Sequence, residues 1–314
     1  MNSSTYKIRP FVSVVVPCFN GRETVGECLV SLSAQSYPKD RYEVIVTDNG
    51  SVDETCNYIQ TSFPWVHLIH TTEKGSGYAR NAGIREAKGE LILSTDSDCI
   101  VDENWINVLV TTFEQASPDV AAIGGRIAPF STTTEVEKYR PAWVSQPDAL
   151  SNGNGDGPRY AATPNAAFRA SALKRVGAFD GLLGFDDTDL GIRLGLAGYR
   201  IEYAPDAIVR HRNPVTLSEL YRHRVKYGKF NFTLARKHPT ILGDPLISGA
   251  RRKLLLVTIR RIGIDVLVKL PIAIAVRPKD RPRIWPVIDA TMAAANYSGF
   301  SQAVIASRQA VASS

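Results

Sequence analysis

Cysteine is scarce in this chain of 314 residues, and its positions form no recognisable metal or redox motif. All four cysteines precede residue 100, and none of them stands in a Cys-x-x-Cys arrangement. This spacing argues against a zinc ribbon and against thiol–disulfide exchange. We therefore expect reduced thiols, buried as small apolar side chains, at Cys18, Cys28, Cys56 and Cys99.

Long apolar stretches are also missing. No segment reaches the roughly 18–20 uncharged apolar residues that a spanning helix requires. The longest candidate, residues 264–276, is interrupted by Asp265, Lys269 and Pro271. The first residues of the chain lack the apolar core of a signal peptide. We expect a cytoplasmic protein, with a peripheral position on the cytoplasmic face of the membrane left open.

The charge balance is mildly basic rather than extreme. A net charge of +6 suits a phosphate-bearing ligand or an anionic membrane surface, and it does not call for nucleic acid, which we do not expect as a partner. Residues 251–283 hold ten lysines and arginines among apolar residues. Such a segment predicts either contact with an anionic membrane or a solvated pair of helices.

Short apolar runs alternate with helix-like segments through the first hundred residues. Strands are predicted at residues 11–16, 42–47, 65–70 and 91–94. This alternation predicts an α/β fold with a doubly wound, mostly parallel sheet flanked by helices. Ligands of such sheets bind beyond the carboxyl ends of the strands. Three polar clusters fall at that edge, in residues 17–20, 48–53 and 96–98.

Asp96 and Asp98 follow the fourth predicted strand directly. Their carboxylates suit a hard divalent cation such as Mn²⁺ or Mg²⁺, which also shares its coordination shell readily with phosphate oxygens. A capped turn is the structural alternative, because Asp is common in turns. Only the position of the pair at a strand end favours the metal interpretation.

Asp48 and Arg80 occupy comparable positions near the same edge. Asp48 can hydrogen-bond a base or ribose, and it can equally stabilise an Asx turn at Asn49. Arg80 can reach a phosphate or base, although a lone arginine usually forms a surface ion pair. The Gly75-x-Gly77 segment is not a dinucleotide fingerprint, because Arg80 stands where the third glycine belongs.

A later segment carries three acidic residues, Asp186, Asp187 and Asp189, at a predicted helix start. The helix dipole stabilises carboxylates there, which is the structural explanation. Three acids in four residues exceed what capping needs, and their repulsion can leave one carboxylate basic enough to accept a proton. His211, after a predicted strand, can complete a metal coordination shell.

In this order, these segments resemble glycosyltransferase family 2, whose fold is the GT-A type. The resemblance covers about residues 11–228, and its specificity comes from the ordered set, since each motif is weak alone. The motifs are VSVVVPCFN at 12–20, DNGSVDET at 48–55, GYARNAGI at 77–84, Asp96-x-Asp98, NAAFR at 165–169, VGAFD at 176–180, and the acidic segment with His211.

The resemblance implies a role for each matching residue and a nucleoside-diphosphate sugar, linked to UDP or GDP, as donor. Asp48 looks like the base-binding acid, and Arg80 resembles the nucleotide-contacting arginine. Asp187 matches the catalytic base, beside Asp186. The remaining matches are Pro17, Asn20 and Glu23 in the base pocket, and Asp96 and Asp98 in the metal motif, with Asp98 as the direct ligand and Asp96 supporting it.

The chain departs from the family pattern in two places. Asp186 replaces the glutamate of the usual Glu-Asp pair, so either Asp186 or Asp187 can be the residue that reaches the acceptor. The Gln-x-x-Arg-Trp motif of processive members is absent. We therefore expect a hexosyltransferase-type enzyme that adds a single sugar, with inversion, to a carbohydrate or lipid-linked acceptor in polysaccharide or glycolipid synthesis.

Two other functions fit part of the pattern. A nucleotidyltransferase also combines a doubly wound sheet with metal-bound carboxylates, but it would need a glycine-rich basic loop after the first strand. A non-catalytic binding protein derived from the fold would be suggested by loss of Asp98 or Asp187, and both are present.

The sequence also predicts a domain boundary. A catalytic domain is expected over residues 1–228, with a nucleotide-sugar half at about 11–100 and an acceptor half at about 101–228. A mainly helical, membrane-associating or packed region would follow at 229–314. The Gly-rich segment 151–158 is expected to be a connector or a lid.

Overall fold

Eight strands form one mixed sheet in the computed structural model. The structure describes residues 9–138, 159–181, 184, 186–243, 250–270 and 285–312. The predicted connector or lid at 151–158 and the part of the basic segment at 271–284 lie outside these residues. The strand order is β3-β2-β1-β4-β7-β6-β8-β5. The strands are β1 (Val12–Cys18), β2 (Tyr42–Asp48), β3 (His67–His70), β4 (Leu91–Ser94), β5 (Cys99–Val101), β6 (Val120–Pro129), β7 (Ala166–Arg169) and β8 (Arg200–His211).

The first four strands are parallel, as the alternation of strands and helices predicts. β1 owes its central place to a β-branched run that is buried on both faces. Val14 and Val16 pack in one hydrophobic cluster and Val15 in another, which is the period of two that a strand imposes. The later strands pair antiparallel, β7 with β4 and β6, and β5 with β8. The sheet is therefore parallel from β1 to β4 and mixed as a whole.

Helices alternate with the strands, and further helices follow the last strand along the chain. Helix α3 begins at Ser76, directly after Gly75, whose φ of 136° is open to glycine and strained for other residues. The helices are α1 (Val25–Ser33), α2 (Thr55–Ser62), α3 (Ser76–Glu86), α4 (Trp105–Gln115), α5 (Glu135–Lys138), α6 (Ala170–Val176), α7 (Asp186–Leu196), α8 (Leu217–Lys237), α9 (Pro239–Leu242), α10 (Ala250–Gly263), continued by a π-helical turn at Ile264–Lys269, and α11 (Trp285–Ala312).

The chain divides into two units. The sheet belongs to the first, which comprises Met1–Ala128, Val144–Leu182 and Asp186–His211. The second comprises Pro129–Trp143, Leu183–Phe185 and Arg212–Ser314. The predicted boundary at residue 228 falls inside α8 and stays a prediction.

Two long helices, α8 and α11, organise the described part of the second unit. Glycines allow their backbones to approach closely, because a β-carbon on Gly228 would collide with Asn296 and one on Gly299 with Val225. A capping box between Thr216 and Glu219 fixes the start of α8. Within the described residues, no helix combines the length and the apolar character that crossing a bilayer requires.

Candidate active site

The loop between β4 and β5 presents Asp96 and Asp98 at the carboxyl edge of the sheet. The Cys99 N–H donates to the Asp96 carbonyl at 3.0 Å, which closes a tight turn. The buried Thr95 hydroxyl donates to the Pro164 carbonyl at 3.0 Å and anchors the loop from behind. The turn that was the structural alternative to a metal site is therefore present, and it places the acidic side chains at the edge of the sheet.

Arg80 is bonded to Asp96. Its Nη2 donates to Asp96 Oδ1 at 2.6 Å, although the arginine is only 5% exposed. This is a buried, charge-assisted contact rather than the surface ion pair that a lone arginine usually forms. The Nε of Arg80 has no hydrogen-bond partner among the described residues. The guanidinium therefore retains a donor for a further group.

Asp98 and His211 are brought together by strand pairing. β5 and β8 run antiparallel with Cys99 opposite His211, so the histidine faces the residue that precedes β5. Asp98 Oδ1 and His211 Nε2 lie 3.8 Å apart, too far for a hydrogen bond. Desolvation raises the pKa of Asp98; the nearby His211 opposes this shift and the charge of Asp96 adds to it.

These residues fit a divalent cation. Two ligands at about 2.1 Å from one ion can stand up to about 4.2 Å apart, which accommodates Asp98 and His211. The buried Nδ1 of His211 has no hydrogen-bond partner among the described residues, so the ring is not committed to a purely structural network. The carboxylates suit Mn²⁺ or Mg²⁺, and an imidazole donor, which is typical of transition metals, favours Mn²⁺ of the two. Cys99 lies in the same cluster, but burial raises the pKa of its thiol, which remains a poor ligand for a hard ion.

Asp186 opens α7 and is almost completely buried. Its Oδ2 accepts a hydrogen bond from the Ser76 hydroxyl at 3.4 Å, and its Oδ1 has no hydrogen-bond partner in the described part of the chain. Any side chain on Gly77 would collide with this carboxylate. Burial raises the pKa of Asp186 to about 7; Arg80 opposes the shift and the charge of Asp187 adds to it.

Asp187 is half-buried and accepts hydrogen bonds from the backbone N–H of Thr188 at 2.7 Å and from its hydroxyl at 3.3 Å. Desolvation raises its pKa, while the backbone bonds from Thr188 and the charge of Arg80 partly offset the increase. Asp187 therefore combines access from solvent with a carboxylate more basic than a free one. Both properties suit a general base.

Asp189, the third acid of the segment, has a structural role. It is fully buried and accepts a hydrogen bond from Arg193 Nε at 2.8 Å, one helical turn away. Arg193 also donates to the carbonyls of Val176 and Ala178, which ties α7 to the end of α6. Asp186 and Asp187 therefore have pKa values that the charge of Arg80 lowers against the effect of burial, whereas Asp189 holds the helix.

Asp48 ends β2 in a different environment. It is 3% exposed and accepts hydrogen bonds from the N–H groups of Gly50 at 3.1 Å and Ser51 at 3.2 Å. Burial alone would raise its pKa, but the bonds from Ser51, His70 and Gly50 hold the pKa of Asp48 below its usual range. The Asx turn is therefore present, and it fixes an ionised carboxylate at the sheet edge.

The structure brings only some residues of the predicted base pocket together. Asn20, with φ of 48°, accepts from the Val52 N–H at 2.9 Å and so joins the loops after β1 and β2. Asn20 and Glu23 line a groove of about 540 Å³. Pro17 lies within β1 opposite Thr47, and neither it nor Asp48 contributes to the lining of that groove.

The sequence did not indicate three residues that support the site, Ser76, Gly77 and Ser97. Ser76 and Gly77 contact Asp186 across the fold. Ser97 hydrogen-bonds the Cys18 thiol and so fastens the loop of Asp96 and Asp98 to β1. The Gly75-x-Gly77 pair was the available signal for a close approach, because glycine often marks such positions.

Comparisons with known proteins place the chain among sugar-transferring enzymes. The profile described as glycosyl transferase family 2 matches residues 13–177. Glycosyltransferase AglE of Haloferax volcanii is 32% identical over 230 residues, which cover 70% of this chain and 72% of AglE. Poly-beta-1,6-N-acetyl-D-glucosamine synthase of Staphylococcus epidermidis is 26% identical over 69% of this chain and 54% of its own length. The chain thus spans about half the length of several curated relatives.

A solved structure shares the fold. Mannosyltransferase PcManGT from Pyrobaculum calidifontis, in complex with GDP-Man and Mn²⁺, superposes with a TM-score of 0.66 at 23% identity. The alignment covers 94% of this chain and 88% of PcManGT. At this level of identity the likeness shows the fold alone.

Proposed function

The chain belongs to glycosyl transferase family 2, has the GT-A fold and is therefore a glycosyltransferase, and we propose that it uses a divalent cation to transfer a single sugar from a nucleoside-diphosphate sugar to an acceptor hydroxyl. One observation carries the proposal. Arg80 links the two acidic groups of the site, because it bonds Asp96 and its charge also acts on Asp186 and Asp187.

The cation would be Mn²⁺ or Mg²⁺, held by Asp98 and His211 with Asp96 in support. When bound, it would neutralise negative charge on the diphosphate leaving group. The complex of PcManGT with GDP-Man and Mn²⁺ is consistent with this choice of ion and with a nucleotide-linked donor. We propose UDP or GDP as the nucleotide of the donor.

Asp187 is the proposed base. It would take the proton of the acceptor hydroxyl, whose oxygen forms a bond to the anomeric carbon as the bond from that carbon to the diphosphate oxygen breaks. The result is inversion at that carbon. The greater exposure of Asp187 favours it over Asp186, which is buried against Ser76. Asp186 would then tune the pKa of its neighbour through their shared charge.

The donor nucleotide would lie along the edge formed by the loops after β1 and β2. The ionised Asp48 suits the hydroxyl or N–H donors of a ribose or base, and its backbone bonds hold it in place before binding. Asn20 and Glu23 would line the adjoining groove, with Pro17 shaping the end of β1. Arg80, whose Nε has no hydrogen-bond partner among the residues described, would add a contact to the nucleotide.

A panel of nucleoside diphosphates, each with and without Mn²⁺, tests the donor class by thermal shift. A ligand that binds only the native state raises its stability. We expect UDP or GDP to raise the melting temperature in the presence of Mn²⁺, and adenosine and cytidine diphosphates to have smaller effects. If no nucleotide shifts the transition with or without Mn²⁺, the proposal fails.

The acceptor is proposed to be a carbohydrate or a lipid-linked glycan, and α10 offers a route to a membrane. Arg260 and Arg261 are exposed beside aliphatic side chains that face solvent. Apolar and cationic residues together favour an anionic interface, so we propose peripheral binding to the membrane. The exposed aliphatic residues are Leu256 (58%), Val257 (56%), Ile259 (57%) and, in the following π-helical turn, Leu267 (77%).

Liposome sedimentation of the full chain tests this binding. The variants Leu256→Glu and Leu267→Glu should pellet less with anionic vesicles than the wild type. Leu196→Glu, at an equally exposed position on α7 (71%), is the matched control and should pellet as the wild type does. Equal pelleting of all four proteins would contradict the membrane role.

A further inference from the structure

A second group of ligand atoms lies beside the predicted nucleotide edge, apart from the Asp98 and His211 pair. It consists of Asp48, Cys56 and His70, whose ligand atoms all lie within 4.8 Å of one another. Asp48 is buried, Cys56 is half-buried, and the His70 side chain is 58% exposed. Asp48 is therefore fixed inside the protein, and the cluster can be reached from solvent on the side of His70.

Strand register sets the first edge of this cluster. β2 and β3 are parallel with Asp48 opposite His70. Asp48 Oδ2 and His70 Nδ1 stand 3.4 Å apart, longer than a good hydrogen bond. Zinc bonds of about 2.0–2.2 Å put two ligands of a tetrahedral ion about 3.3–3.6 Å apart. The separation is that of a long hydrogen bond, and it also matches two ligands of one tetrahedral ion.

Cys56 supplies a sulfur ligand. Of the four cysteines it alone is not buried, since the other three are at most 2% exposed. It sits in the first turn of α2, where the helix dipole favours a thiolate. Burial, together with the negative charge of Asp48, raises the pKa of this thiol to about 11. A bound dication would reverse that charge balance and release the thiol proton to solvent.

Backbone groups also hold one of the proposed ligands, Asp48, in position. The N–H groups of Gly50 and Ser51 hold the Asp48 carboxylate, and both donate to Oδ2, the oxygen that lies nearest His70. Such outer contacts orient the ligands of a metal site. One carboxylate, one imidazole and one thiolate are the donor set of a borderline-soft ion rather than of Mn²⁺.

We propose that Asp48, Cys56 and His70 form a site for a thiophilic dication of the Zn²⁺ class, with solvent in the fourth position and separate from the site of Asp98 and His211. Occupation of this site would engage Asp48. If the proposed sugar transfer is correct, binding of Zn²⁺ would then compete with the donor nucleotide, a consequence that rests on that proposal whereas the metal site itself does not.

Co²⁺ added to the metal-free full chain is the probe for the site. We expect a sulfur-to-cobalt charge-transfer absorption and the intense visible bands of a tetrahedral ion in the wild type. Cys56→Ser should lose the charge-transfer band, and Cys28→Ser, a change at a fully buried thiol, should keep it. His70→Gln changes an exposed side chain and should weaken Co²⁺ binding at least tenfold without altering the fold.

Any one of three results would overturn the proposed metal site. Absence of the charge-transfer band in the wild type, or its persistence in Cys56→Ser, would overturn the proposal. An unchanged Co²⁺ affinity in His70→Gln would do the same, even if Cys56→Ser failed to fold.

Competition with the nucleotide is measured separately. Zn²⁺ should lower the affinity of the wild type for UDP or GDP at least tenfold and should have little effect on His70→Gln. A protein that shows the cobalt band but binds no nucleotide would retain the metal site and reject the proposed transferase function. Nucleotide binding without the cobalt band would do the opposite.

Discussion

Two acidic regions at one sheet edge differ in how their carboxylates are satisfied. Asp48 is surrounded by N–H donors, which hold its pKa below the usual range. Asp98 and Asp186 have too few donors for their burial, and their pKa values are raised. A satisfied carboxylate stays charged and can orient a neutral group, whereas an unsatisfied one gains from a cation or a proton. For the proposed sugar transfer, this difference supports nucleotide positioning by the first region and the catalytic cation and proton chemistry by the second; the proposed Zn²⁺ site at Asp48 would compete with that positioning.

The largest effect is expected from a substitution in the second region. Asp187→Asn removes the proposed base, and we expect turnover to fall by about 10²–10⁴, the usual contribution of a general base. Affinity for the nucleoside diphosphate should stay unchanged, because Asp187 would act on the acceptor. Steady-state transfer assays and nucleotide titrations measure the two quantities.

Asp189→Asn is the matched control in the same turn of α7. It replaces the buried carboxylate that pairs with Arg193 by a neutral amide and should lower the melting temperature, since the ion pair is lost. Turnover per folded molecule should remain within a few-fold of the wild type. If Asp187→Asn kept wild-type turnover, or if both variants lost it equally, the division of the acidic segment would be wrong.

The pH dependence of stability should have opposite signs in the two regions. Asp186, with a folded pKa of about 7, holds a proton that the unfolded chain has already released, so its presence costs stability as pH rises from about 4 to about 7. Each unit of pKa displacement corresponds to about 1.4 kcal/mol. Asp48, with a lowered pKa, stabilises the fold above about pH 4, and that contribution is lost as pH falls further.

Unfolding titrations of the wild type and Asp186→Asn at pH 5 and pH 8 test this sign. The stability of the variant relative to the wild type should be greater at pH 8, by about 1–3 kcal/mol. A difference that is equal at both pH values, or that favours the wild type at pH 8, would mean that Asp186 is ionised without cost in the folded protein.

A smaller effect is expected from Asp48. Asp48→Ala leaves the N–H groups of Gly50 and Ser51 without an acceptor, and we expect a loss of about 1–3 kcal/mol in unfolding free energy together with weaker nucleotide binding. Asp48→Asn keeps a carbonyl acceptor, so it should regain most of the stability and little of the nucleotide affinity. Chemical denaturation and nucleotide titration separate the two roles, and equal effects of both variants on both measurements would contradict them.

The parallel half of the fold could be predicted because its signals are local. The β-branched run of β1 and the short connections between strands and helices predict the sheet, and parallel strands bring their carboxyl ends to one edge. This logic predicted Asp48, Asp96 and Asp98 at that edge. The antiparallel pairing of β5 with β8 is a long-range contact, and nothing in either segment of sequence indicates its partner or direction.

The roles of several charged residues also depend on contacts that the sequence does not indicate. Asp189 seemed to belong with Asp186 and Asp187, although the spacing of four to Arg193 is the signal for an intrahelical ion pair. The burial of Arg80 depends on the packing of α3 against the sheet, so a lone arginine in the sequence gives no warning of it. Cys56 and His70 share no motif, and only α2 and β3 bring them to Asp48.

The central claim is that Asp98 helps to hold a divalent cation that binds the donor nucleotide. Calorimetric titration of UDP and GDP into the wild type and Asp98→Asn, each with and without Mn²⁺, tests it directly. We expect Mn²⁺ to raise the affinity of the wild type for one of these nucleotides at least tenfold, and to have no such effect on Asp98→Asn. Equal affinity with and without Mn²⁺ in the wild type, or a Mn²⁺ effect that survives in Asp98→Asn, would contradict the claim.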